Sequence, residues 1–312
     1  MGEEAKLIGE RGEDIIEYVF QELLGYPHYR KSLKIPCSFE EDHKKKEKSP
    51  RTTHGVDGLI SYQSNLKDQC LEIGVIESKF KKDPYPNNPR TLFRKYFKEL
   101  AWTLQCFNHS DFLSEIESNE SGVTETEITG ILFWLTNRSN DNDDISNEIA
   151  KAEFGGDGLK FNKILFVDNA RLYFLIKVLE PLKEKLGKEN IDFVYPKTGF
   201  NNLPEHNKGF GQQFPIDFFA YDIIPMRLKN NNDVFLYLAC RKNFDTTEFI
   251  KILSLAQSFN LLQATRKTLI SFPDYNELEN KDDVTRILAS LSDSSFSSQV
   301  KIGSYNLDFR NF

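Results

Sequence analysis

Two short apolar runs constrain this chain more than any other feature. Residues 56–62 and 71–77 read as adjacent strands joined by a polar, turn-prone loop from Gln63 to Gln69. The first run carries a carboxylate near its start, Asp57. The second ends Glu77-Ser78-Lys79. Side chains alternate along a strand, so Glu77 and Lys79 project together and Ser78 to the opposite side. If the strands pair, Asp57 stands beside Glu77, and two carboxylates and an ammonium converge at one edge of a sheet. Carboxylates of this kind hold hard cations such as Mg²⁺. A lysine next to them can orient a water or offset negative charge on phosphorus. That combination suits phosphodiester hydrolysis.

The flanking segments fit around this pair. Residues 7–25 carry an apolar stripe at three- and four-residue spacing (Ile8, Ile15, Ile16, Val19, Phe20, Leu23, Leu24) that ends at Gly25, a helix signal. Glu13 lies on the edge of that stripe, so a helix packed on the sheet can aim it at the carboxylate pair. Early acids are also favoured simply by the helix dipole. Residues 29–39 form an edge-strand candidate in which Pro36 is tolerable. Glu40 to Arg51, with His43, Lys44, Lys45, Lys46 and Lys48, reads as a solvated polar loop that can contact phosphate. After a Pro-rich break, a strong amphipathic helix is expected from about Thr91 to Phe107. Lys79, Lys81, Lys82, Arg90, Arg94, Lys95 and Lys98 face a single acid, Asp83, over residues 79–98. Such residues pair with backbone phosphates in a salt-dependent way. Ile128–Thr136 then gives a buried-strand signal.

Composition excludes more than it selects. The 312 residues are 28% charged and 39% hydrophobic, an ordinary globular balance, with a formal net charge of −7 that disfavours promiscuous nucleic-acid binding. The longest apolar run, Val234–Cys240, is too short to span a bilayer. Nothing near Met1 resembles an apolar leader, so the cytoplasm is the expected compartment. Cys37, Cys70, Cys106 and Cys240 are scattered with no C-x-x-C pair, and that spacing indicates neither a disulfide framework nor a structural zinc site.

The order helix, strand, strand, strand, helix, strand, with Glu13, Asp57 and Glu77-Ser78-Lys79 placed on it, resembles the PD-(D/E)XK nuclease superfamily of restriction endonucleases and Holliday-junction resolvases. The Gly9-Glu10-Arg11-Gly12-Glu13 opening of the first helix adds to the likeness. One departure is that no proline precedes Asp57; His54-Gly55-Val56 stands there. The resemblance implies an α/β fold with a restriction-endonuclease-like αβββαβ core over residues 1–137, and a mixed α/β C-terminal extension over 138–312 for target recognition or oligomerisation. It implies that Asp57 and Glu77 bind Mg²⁺ (or Mn²⁺), that Lys79 is the catalytic lysine, and that Glu13 completes the catalytic and metal-binding set. Lys81, Lys82, Arg90, Arg94, Lys95 and Lys98 become the DNA-contacting residues, with Gln105, Lys95 or Lys98 as weaker additions to the site. It also resembles, more narrowly, the nuclease subunits of two-gene anti-phage systems of the GAPS kind. DNA and a second defence subunit are then the expected partners, in a homo- or hetero-oligomer with no membrane involvement. Alternatives are a type II restriction endonuclease and a non-catalytic nucleic-acid-binding subunit of the same fold.

The C-terminal half reads as strand 164–167, helix 170–186 and strand 191–195, a unit that either extends the sheet or starts another layer. A hairpin is expected from Ile216–Ile224 and Val234–Cys240. Then come a helix from Asp245 to about Leu262, a strand at 269–272, a helix near 284–291, a Ser-rich turn and a last strand over 300–309. Phe154–Gly158 reads as a turn.

Overall fold

The computed structural model describes residues 2–44, 50–138, 143–154, 158–203, 209–260 and 267–306. The chain divides into two compact units, Met1–Tyr173 and Phe174–Phe312.

The first unit is built on a five-stranded sheet in sequential order. Helix α1 (Gly2–Tyr18) continues as a π-helical turn, Val19–Leu23. Strands β1 (Arg30–Pro36), β2 (Thr53–Gln63) and β3 (Cys70–Lys81) form an antiparallel meander. Helix α2 (Arg90–Phe107), the short α3 (Asp111–Ser118), β4 (Glu125–Thr136), the single turn α4 (Ser146–Ile149) and β5 (Lys163–Val167) follow. β4 lies parallel to β3 and β5 parallel to β4, so the strand over 164–167 extends this sheet. The observed order is the αβββαβ core followed by one more strand.

β3 is central and buried from Cys70 through Glu77, which is why it reads as a continuous apolar run. Its odd-numbered side chains Leu71, Ile73 and Val75 pack with Phe93, Tyr96, Leu100, Leu104 and Phe107, the α2 stripe. α1 covers the opposite face. Phe20 meets Phe133 edge-on at 6.0 Å and stacks on Tyr29 at 5.4 Å. Leaving a large apolar side chain out of such a core costs about 2–5 kcal/mol.

Helix α5 (Asn169–Leu186) leads into the second unit. Here β6 (Ile191–Val194), β7 (Phe210–Gly211), β8 (Ile223–Asn230), β9 (Asp233–Cys240), β10 (Lys267–Phe272) and β11 (Val300–Ser304) make one mixed sheet, with β9, β10 and β11 parallel. Helices α6 (Thr246–Asn260), α7 (Glu277–Ser290) and α8 (Ser294–Gln299) supply its apolar cover through Phe249, Leu253, Val284 and Phe296.

Several expectations need correction. Ile216–Ala220 is a 3₁₀ turn after Pro215, and the hairpin strand begins at Ile223. Pro215 starts the turn and the following apolar residues bury as a knot: Phe214 packs edge-on against both Phe218 and Phe219. The Ser-rich segment is helical because the Asp293 carboxylate caps it through the Phe296 N–H, at 2.9 Å. The loop after β1 is not wholly solvated: His43 is 1% exposed. Lys45, Lys46 and Lys48 lie outside the described residues, as do 155–157, the helix end at 261–262 and the strand end at 307–309. Among the described residues no helix is long and apolar enough to cross a membrane.

Candidate active site

The expected acids meet where β2 and β3 part. Their pairing runs from Gln63↔Leu71 to Gly58↔Ile76, and the next opposed residues are Asp57 and Glu77. Beyond that point β3 remains paired with β4 as far as Lys81↔Thr136, while β2 remains paired with β1. Regular geometry also lapses here. Val56 and Leu59 enter the same core although three residues apart, and Ser32, across from Asp57 on β1, has a φ of 55°. An irregular strand of this kind re-aims side chains.

Asp57 Oδ2 accepts a 2.6 Å hydrogen bond from the Ser78 N–H. Glu77 is 8% exposed and paired with the Lys79 ammonium, which lies 3.7 Å from Glu99 Oε2 and over the Tyr96 ring at 5.7 Å. Glu13 reaches the same place from α1, its Oε2 accepting from Ser32 Oγ at 3.1 Å. α1 comes this close because position 12 is glycine. A Cβ there would lie 2.5 Å from Phe80 Cβ and 3.2 Å from Ser78 Oγ.

Electrostatically the site is short of positive charge. Burial pushes the Glu77 carboxyl well above its usual range, and the nearby Asp57 charge adds to this against the pull of Lys79. Asp57 is likewise raised by burial, although the Ser78 amide and Lys79 oppose it. Glu13 is raised by burial and by Asp57. Lys79 is drawn down by burial, but the Glu77, Asp57 and Glu99 carboxylates outweigh that and hold it above its usual value. Three clustered carboxylates reluctant to ionise together, with Lys79 acting on Asp57 and Glu77, and Lys31 on Glu13, form an oxygen-donor set that a hard divalent cation would relieve.

Glu99 and Tyr96 escape a reading from sequence. They lie three residues apart on α2 and so share a face, next to the buried Leu100, the one available signal. Gln105 does not join the site: its Oε1 is 3.2 Å from His43 Nε2. Lys98 also turns elsewhere, over the Trp102 ring at 5.0 Å. Lys81, Lys82, Arg94 and Lys95 are exposed. Arg90 and Arg94 line a polar groove of about 310 Å³ with Asn88, Thr91, Lys151 and Glu153, in which Arg90 pairs with Glu148.

The sequence profile of the family described as the GAPS4 protein PD-(D/E)XK nuclease domain matches residues 1–171. No curated protein and no solved structure is significantly similar to the chain. The match takes in α1 through β5, with Glu13, Asp57, Glu77 and Lys79 inside it, and covers more than half of the sequence; the chain belongs to the GAPS4 family of PD-(D/E)XK nucleases.

Proposed function

We propose that the protein is a divalent-metal-dependent endodeoxyribonuclease of bacterial anti-phage defence, acting in the cytoplasm. The observation that carries this reading is the convergence of Asp57, Glu77, Lys79 and Glu13 at one point of the family-matched unit. Asp57 and Glu77 are the ligands proposed for Mg²⁺ or Mn²⁺, with Glu13 contributing directly or through a water. When bound, such an ion supplies Lewis-acid activation and neutralises phosphate charge.

The chain's own groups do the rest. The Lys79 ammonium, held by Glu77 and Glu99, orients the attacking water and offsets charge accumulating on phosphorus. Ser32 fixes the Glu13 carboxylate from β1. Lys81, Lys82, Arg94 and Lys95, with Arg90 and Lys98 beside them, hold the DNA backbone near the site. The C-terminal unit, from Phe174 on, serves target recognition or assembly with a second defence subunit.

Plasmid and linear DNA cleavage with Mg²⁺ or Mn²⁺ tests the reading, wild type against Lys79→Ala. Cutting that is abolished by both EDTA and the substitution is expected. Equal cutting by both proteins would sink the site assignment.

A further inference from the structure

We propose that Cys37, His43, His54 and Cys106 form a second, structural metal site that takes Zn²⁺ and ties the loop after β1 to α2. The four donor atoms lie within 4.8 Å of one another, and all four residues are buried. They come from the residue after β1, the loop, the start of β2 and the end of α2, in the spacing C-x₅-H-x₁₀-H-x₅₁-C, which no short motif search detects.

The distances suit a metal. Zinc bonds of about 2.3 Å to sulfur and about 2.0–2.1 Å to imidazole nitrogen, at the tetrahedral angle, separate two sulfurs by about 3.8 Å, sulfur and nitrogen by about 3.6 Å and two nitrogens by about 3.4 Å. Here Cys37 Sγ and Cys106 Sγ are 3.8 Å apart. His43 Nδ1 is 3.5 Å from Cys37 Sγ and 3.4 Å from Cys106 Sγ. His43 Nδ1 and His54 Nε2 are 3.4 Å apart. These four of the six edges are those of a tetrahedron around one zinc ion, and all the donor atoms lie within 4.8 Å of one another.

The surroundings agree. Burial raises the Cys106 thiol, while hydrogen bonds from the Ser38 and Phe39 amides favour its thiolate. The far nitrogen of His43 faces the Gln105 carbonyl oxygen at 3.2 Å, the kind of outer partner that fixes a metal-bound imidazole. That of His54 lies 3.3 Å from Thr103 Oγ1, which can accept its proton once Arg51 Nη1, now 2.9 Å away, turns aside. Two thiolates, two neutral imidazoles and Zn²⁺ sum to zero charge, the condition for complete burial. Binding releases the two thiol protons. The competing arrangement is metal-free: Arg51 Nη1, 2.9 Å from His54 Nδ1, donates to it, and the protonated Nε2 donates to His43.

The test is the metal content of the full chain, purified without chelator, as wild type, Glu77→Gln and Cys106→Ser. One zinc per chain is expected in the first two, and loss in the third. Because Cys106→Ser can fail to fold, the wild type is also stripped and reloaded with Co²⁺. Tetrahedral d–d bands, sulfur-to-cobalt charge transfer and quenching of Trp102, which stacks on His43 at 5.1 Å, are expected. Stripping should lower Tm by roughly 10 °C. A wild type without zinc that gives no tetrahedral cobalt spectrum overturns the proposal. So does a mass lowered by two hydrogens, which marks a Cys37–Cys106 disulfide, or zinc that disappears in Glu77→Gln.

Discussion

Two glycines in the same helix should respond in opposite directions to the same substitution. Gly9 and Gly12 both lie in α1, and replacing a helical glycine by alanine ordinarily stabilises by about 0.5–1 kcal/mol. At Gly9 nothing lies within 4 Å of the added methyl, so Gly9→Ala should raise Tm by roughly 1–4 °C. At Gly12 the methyl meets Phe80 Cβ at 2.5 Å, an atom fixed to the backbone of β3 that no rotamer change can move. Overpacking of this kind costs about 1–3 kcal/mol, enough to outweigh the helical gain. Gly12→Ala should therefore lower Tm by up to roughly 8 °C. It should also push α1 off the sheet, carrying Glu13 away from Asp57 and reducing cleavage. Thermal denaturation followed by circular dichroism, with plasmid cleavage alongside, reads both effects. If Gly12→Ala stabilises as Gly9→Ala does, α1 is not seated on β3 in the way described.

Metal affinity should depend on pH in a defined direction. Glu77 is raised by burial, so its contribution to the metal-free fold is fully present below the usual carboxylate range and is lost as pH rises through its raised value. Asp57 and Glu13 shift the same way. Lys79 and the Ser78 amide oppose the shift at Asp57, Lys31 and Ser32 oppose it at Glu13 while Asp14 adds to it, and Glu99 adds to it at Glu77. The rise in Tm produced by Mg²⁺ should grow across that interval, and Glu77→Gln should flatten it; a rise independent of pH would count against the carboxylate set. Replacing Lys81, Lys82, Arg94 and Lys95 by Gln should weaken DNA binding and lower the slope of log affinity against log salt, by about 0.9 for each duplex phosphate that is no longer neutralised. An unchanged slope in a titration by fluorescence anisotropy would place the DNA elsewhere.

The αβββαβ order was readable because each element states its period: β3 as an unbroken apolar run, α2 as a stripe, α1 as a stripe with acids along its edge. Asp57, Glu77 and Lys79 were readable because two strands joined by a short loop carry them to opposed positions. What stayed hidden depends on long-range packing. Glu99 becomes part of the site only when α2 crosses the end of β3. His43 sits among lysines in a segment that looks solvated, and only the folded loop brings it against Trp102 and Cys106. Pro215 followed by apolar residues has the composition of a strand, yet side chains of that size close on one another in a turn.

The parting of β2 and β3 makes Asp57 a structural residue as well as an acid. Where the ladder with β2 stops, the Ser78 amide finds its acceptor in the Asp57 side chain, so a carboxylate stands in for the missing strand carbonyl. One oxygen of Asp57 is thus committed to holding the fork open at a fixed angle, which leaves the other for chemistry. Asp57→Ala would remove a proposed metal ligand and also release the hinge of the fork, whereas Asp57→Asn keeps a carbonyl acceptor for Ser78 and replaces only the second oxygen, with its charge, by an amide nitrogen.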